Sequence, residues 1–195
     1  NGECVGNTVA WSSVANRRQP GCTRIKITAR SPTTRDGMTV QDTPPDELAS
    51  FLLGRGFVAI PLHVNAVGHF ELAAEVNGHA ARLVLDTGAS HTVFATPSAE
   101  RFGLRTTPSV ERARGVEVSD YAAATTTVAE LRLGAALLRD VAARTFDLAH
   151  VNRALEARGA SPVDGALGGD VLRPTEAVID YARATLYLRV NAVNR

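Results

Sequence analysis

One stretch of the sequence, Leu83-Val84-Leu85-Asp86-Thr87-Gly88-Ala89-Ser90, sets an apolar run against a single carboxylate, a hydroxyl, a glycine and a small polar tail. Val84 and Leu85 favour an extended, buried strand. Gly88 permits a sharp turn and close approach of another chain. Asp86 is therefore delivered to the end of a core strand, where burial and neighbouring dipoles can shift its proton affinity and fit it for acid–base work. An aspartate at such a place can also simply cap its own turn. Two other chemistries find less support. Gly88-Ala89-Ser90-His91 sets a nucleophile beside a base, but Thr92 stands where the elbow Gly-x-Ser-x-Gly needs glycine. Adjacent residues of a strand also point to opposite faces, away from a Ser90–His91 hydrogen bond. His63, His69, His79 and His150 have no metal-ligand spacing, there is no His-Glu-x-x-His, and no metal or other cofactor is expected.

The elements around the stretch must hold it in place. Asn77-Gly78 is the strongest hairpin signal in the chain. It joins the run ending at Asp86 to a preceding strand in which Phe70, Leu72, Ala74 and Val76 alternate with Glu71 and Glu75. Far downstream come Asp164-Gly165-Ala166-Leu167-Gly168-Gly169-Asp170-Val171-Leu172, then Ala177 to Tyr181 and Ala184 to Leu188.

Asp-Thr-Gly-Ala-Ser after an apolar strand, followed much later by an apolar-apolar-Gly strand and a closing hairpin, resembles the retropepsin-like aspartic proteases over about residues 56 to 190. The resemblance implies an all-β fold: a closed barrel of the acid protease type, one lobe per chain, with a flap hairpin and short helices. It implies Asp86 as the catalytic residue, Thr87, Gly88, Ala89 and Ser90 as its loop, and Ala166, Leu167 and Gly168 as the loop's support. It also implies an aspartic endopeptidase acting on a polypeptide. Such hydrolysis needs two carboxylates sharing a proton, one taking a proton from water while the other protonates the carbonyl oxygen and then the leaving nitrogen. Asp36, Asp120 and Asp164 lack the Thr/Ser-Gly tail and a comparable preceding strand, so the second carboxylate is expected from another copy in a two-fold homodimer. Thr87 would then bond across the axis, and Gly88 would leave room for substrate backbone. Many viral members carry a further acid after Gly-Ala, where Ser90 and His91 stand here, as in the bacterial and cellular branch. A catalytically silent peptide-binding module on the same fold is the alternative.

Other features fit this frame. The 195 residues are 45% hydrophobic with a net charge of +1, which points away from disorder and from a nucleic-acid footprint. Lys26 is the only lysine, and the arginines are scattered among acids. No apolar run is long enough to span a membrane. Residues 1–55 are expected to be an extension (linker, prosegment or small appended element) and residues 56–195 the protease domain. Alternation within the first part is confined to Arg24 to Thr28, and Cys4 and Cys22 fit either one disulfide or two unrelated thiols. With the missing initiator methionine, they suggest a periplasmic or secreted setting.

Element by element, the sequence predicts a helix capped by Thr43 and stopped by Gly54, with Leu48, Phe51 and Leu52 on one face. It predicts a strand over 57–64 that Pro61 pushes to a sheet edge, a short strand over 91–94, and a brief helix from Thr96 closed by Gly103. Strands over 115–121 and 124–133 would hold the flap, and 135–146 gives one or two more. A helix over 147–158, capped by Asp147, would present Leu148, Val151 and Leu155 on one face.

Overall fold

The computed structural model describes residues 26–29, 47–108 and 124–190. Cys4, Cys22, Thr43 and the strand expected over 115–121 lie outside them. The elements are β1 (Lys26–Ala29), α1 (Glu47–Leu53), β2 (Phe57–Pro61), β3 (His63–Val64), β4 (Phe70–Val76), β5 (His79–Leu85), β6 (Val93–Ala95), α2 (Thr96–Arg101), β7 (Thr107–Pro108), β8 (Ala124–Leu133), β9 (Ala136–Phe146), α3 (Ala149–Glu156), β10 (Gly165–Leu167), α4 (Gly169–Leu172), β11 (Val178–Asp180) and β12 (Thr185–Arg189).

Six strands close into a mixed barrel in the order β9-β6-β10-β5-β4-β8, with β8 returning to pair with β9. Closure leaves these strands no open edge to manage. Inside it Leu72, Leu83, Phe94, Val128, Leu138 and Leu167 are buried, and the Phe94 and Phe102 rings meet edge to face with centroids 5.8 Å apart. β11, β12 and β2 form a second, three-stranded antiparallel sheet. β2 is one edge of that sheet, where Pro61 costs no ladder hydrogen bond. No helix among the described residues is long and apolar enough to cross a membrane.

The hairpin that delivers Asp86 forms as expected. Asn77 and Gly78 take φ of 49° and 83°, the left-handed pair that matches the twist of two antiparallel strands, and Val76 pairs with His79. Asn77 adds a further anchor, its side chain reaching Phe102 O at 3.1 Å and receiving Glu130 N at 3.0 Å.

Several expectations change on inspection of the packing. The run over 57–64 breaks at Leu62, which belongs to neither β2 nor β3, although its N–H continues the β2–β12 register to Ala184 O. Of the α1 positions only Leu52 is buried, on Phe57 and Tyr187, while Leu48 and Phe51 are exposed. Glu71 is buried rather than outward-facing, because Asn65 donates to its Oε1 at 2.7 Å. Residues 136–146 form one strand, and the residues preceding α1 contribute β1, which pairs with the start of β9. α3 starts two residues later than expected, with Leu148 rather than Asp147 at its N-cap; Asp147 stands one residue before the cap, its Oδ1 accepting from Ala149 N at 2.8 Å. Leu155 is buried beside Ala160 and Val163, with Val151 and Val84 packed against them.

Candidate active site

The apolar residues before Asp86 form β5, as their β preference dictates, and β10 lies parallel beside it with Ala166 opposite Val84 and Leu167 opposite Leu85. β10 also pairs antiparallel with β6, Gly165 opposite Phe94. β10 is thus held on both sides, by β5 and by β6. It places the carbonyl of Leu167 3.1 Å from Asp86 N, which donates to it.

Two glycines make this approach possible. A Cβ on Gly165 would lie 2.1 Å from Val93 O, and one on Gly168 would lie 2.4 Å from His91 C. Neither neighbour is a flexible side chain, so any larger residue would push the strands apart. Gly169 N then donates to Ala89 O at 2.8 Å. The loop after β5 is thus tied to the end of β10 and the start of α4.

Within the loop, Asp86 Oδ1 accepts from Gly88 N at 2.9 Å and Ala89 N at 3.1 Å. Gly88 fits because a Cβ there would stand 3.3 Å from that same oxygen. Asp86 therefore does cap its turn, using one oxygen. Its second oxygen has no partner among the described residues. Asp86, Thr87, Gly88, Ser90 and His91 are all exposed in the single chain, and Ala89 is half-buried. The burial expected around Asp86 is absent from one chain alone. Ala166 is half-buried, and Leu167 and Gly168 are buried, as residues beneath the loop should be.

The strand expected from His91 starts instead at Val93. Thr92 N is taken by the carboxylate of Asp170, at 2.8 Å from Oδ1 and 2.9 Å from Oδ2, so it cannot join a ladder. Thr92 Oγ1 donates to the same Oδ1 at 2.8 Å and accepts from Gly168 N at 3.1 Å. His91 Nδ1 stands 3.7 Å from Asp170 Oδ2. Sequence reasoning passed over Asp170. Its signal is position alone, an acid two residues beyond the apolar-apolar-Gly landmark.

Asp164 serves the other end of β10 and was set aside in the sequence for lacking a Thr-Gly tail. It receives Ser98 Oγ at 2.8 Å, Arg101 Nη2 at 2.6 Å and Arg82 N at 2.9 Å, which fastens α2 to β5. A groove of 790 Å³ lies along Asn65, Glu71, Arg82 and Asp164 and includes no residue of the 86–92 loop. Among the described residues no three His, Cys, Asp or Glu side chains gather as a metal site requires.

A family model described as aspartyl protease matches residues 72–171, just over half of the chain, and spans both the Asp86 loop and its support. The chain belongs to the aspartyl protease family. The barrel, the strand-borne Asp-Thr-Gly and the apolar-apolar-Gly strand beneath it are the parts of this protease fold that the match covers. Three solved structures are similar to it. A retropepsin-like aspartic protease from Rickettsia conorii is 21% identical, over 68% of this chain and 89% of that one, with a TM-score of 0.47. EIAV protease complexed with the inhibitor HBY-793 is 19% identical, over 56% and 90%, with a TM-score of 0.42. The retroviral protease-like domain of Ddi1 from Leishmania major is 17% identical, over 60% and 86%, with a TM-score of 0.41. No curated protein matches the chain.

Proposed function

We propose that this aspartyl protease family member is an aspartic endopeptidase that works as a two-fold homodimer, with Asp86 of each copy at the axis. The observation that carries the reading is the state of the Asp86 carboxylate. One oxygen is fixed by Gly88 N and Ala89 N, while the other has no partner among the described residues, on an exposed, firmly supported loop. A lone carboxylate cannot both accept a proton from water and donate one to a carbonyl oxygen. An isologous contact supplies the second from the same position of the partner.

Two carboxylates that close cannot both ionise, so the pair holds one proton. The ionised member takes a proton from water, which adds to the scissile carbonyl carbon. The protonated member gives its proton to the carbonyl oxygen. Collapse of the tetrahedral adduct then transfers a proton to the nitrogen as the C–N bond breaks. In this reading Thr87, exposed beside Asp86, would bond across the axis, and Gly88 would leave space for the substrate backbone.

Asp86 capping its own turn is also what a peptide-binding module without turnover would keep. Cleavage of a diverse peptide pool from acidic to neutral pH, comparing wild type with Asp86→Asn, separates the two. Asparagine keeps an oxygen for Gly88 N and Ala89 N but cannot serve as the acid or base. The endopeptidase cuts and the variant does not. Equal cutting by both assigns the activity elsewhere, and a folded, dimeric wild type that cuts nothing favours the binding module.

A further inference from the structure

We propose that Asp170 is a positioning residue for Asp86, acting through the far end of the loop. The inference rests on the endopeptidase reading for its kinetic consequence and on geometry alone for the positioning. The loop leaves β5 at Asp86 and enters β6 at Val93, and it is hydrogen-bonded to the support at three places, with His91 Nδ1 also 3.7 Å from Asp170 Oδ2. The first is Asp86 N on Leu167 O, and the second is Gly169 N on Ala89 O. The third is the Thr92 clamp, where one carboxylate receives both the N–H and the hydroxyl of a fully buried threonine.

The clamp is the strongest of the three. A carboxylate accepting from an N–H and an O–H makes charge-assisted bonds, about twice as strong as the neutral bonds at the other two places. Thr92 Oγ1 is used twice, donating to Asp170 and accepting from Gly168 N, so the hydroxyl links the loop to both β10 and α4. Gly168 sits where a Cβ would strike the His91 backbone, so the clamped end of the loop packs directly on the end of β10. Asp170 touches no reacting atom. It sets the path of the chain between Asp86 and β6, and with it the height and direction of the Asp86 carboxylate.

An error of about 1 Å in a reacting group costs on the order of a hundredfold in rate. Asp170→Asn can offer Thr92 only one accepting oxygen and brings an NH2 against the same donors. We expect it to lower kcat by ten- to a hundredfold (on the order of the misplacement cost) with KM within about threefold, because the loop's chemistry and not the substrate groove is disturbed. Thr92→Val loses part of the rate, and Thr92→Ser, which restores the hydroxyl, recovers most of what valine loses. Rates are normalised to the folded fraction, since a purely structural role would change that fraction and leave kcat per folded chain intact.

Amide exchange on the full-length chain supplies a readout independent of turnover. Asp170→Asn should speed exchange in peptides covering 86–92 and leave those from β8 unchanged. If wild type cleaves and Asp170→Asn keeps its kcat, the inference is overturned. If wild type does not cleave, the endopeptidase reading fails, and exchange alone decides the positioning: faster exchange confined to the loop supports it, unchanged exchange overturns it.

Discussion

The N–H of Asp86 donates to the carbonyl oxygen of Leu167 at 3.1 Å, so the candidate catalytic residue hangs from a strand that the chain makes much later. This bond exists only because β5 and β10 run parallel with Leu85 level with Leu167. Whatever moves β10 moves Asp86.

Gly165→Ala and Gly168→Ala place a methyl group 2.1 Å from Val93 O and 2.4 Å from His91 C. Each should cost about 3 kcal/mol, at the upper end of the overpacking range. Gly169→Ala, whose nearest such contact is Ala89 O at 3.4 Å, should cost less than either. Urea denaturation of the three variants gives the order directly.

Asp86→Asn and Asp86→Ala should part company in stability. Asparagine retains the oxygen that receives Gly88 N and Ala89 N, so its unfolding free energy should stay close to wild type. Alanine leaves both donors to solvent and should lose about 1 kcal/mol, the net worth of such a bond. Thermal and chemical denaturation of the two variants, set beside their cleavage rates, would separate the capping role of the side chain from its chemical one.

A homodimeric site makes a specific prediction about mixtures. With wild-type and Asp86→Asn chains combined in equal amounts and allowed to exchange, only pairs of two wild-type chains are competent, about a quarter of the total. Activity should therefore fall to about a quarter of that of the same total concentration of wild type. A fall to one half means that each chain works alone.

Asp164→Ala removes the acceptor shared by Ser98, Arg101 and the backbone of Arg82. It should destabilise by about 2 kcal/mol, since the buried Ser98 hydroxyl loses its carboxylate partner. In a double-mutant cycle with Arg101→Ala the two losses should not add.

Within α1, Leu52→Ala should cost about 2 kcal/mol, whereas Phe51→Ser should stay within about 0.5 kcal/mol. Leu52 is 5% exposed and Phe51 55%, although both have the spacing of a buried face. Denaturation midpoints of the two variants test this.

What could be read in advance was local. Asn77-Gly78 dictates its own turn, Gly103 and Gly159 end their helices with positive φ, and the alternation in β4 marks the buried face through Leu72, Ala74 and Val76. The apolar-apolar-Gly landmark was legible only through its resemblance to the family's support strand; the structure gives the reason for the glycine, since a Cβ on Gly168 would meet the His91 backbone. What stayed hidden depends on partners distant in sequence. Glu71 looks outward until Asn65 turns beneath it, and Asp170 looks like any acid until Thr92 arrives at its carboxylate. Leu48 and Phe51 have helical spacing, yet α1 rests on too small a surface to cover more than Leu52.

The parallel pairing of β5 with β10 also has a consequence for the order of events in synthesis. A ribosome-bound chain that has emerged only through β9 already carries the whole Asp-Thr-Gly motif, but Asp86 N has nothing to hang from and Thr92 no carboxylate to receive it. Contacts between segments so far apart form late, because a long loop must close before they reward it. The loop that carries Asp86 therefore takes its shape only when β10 slides between β5 and β6.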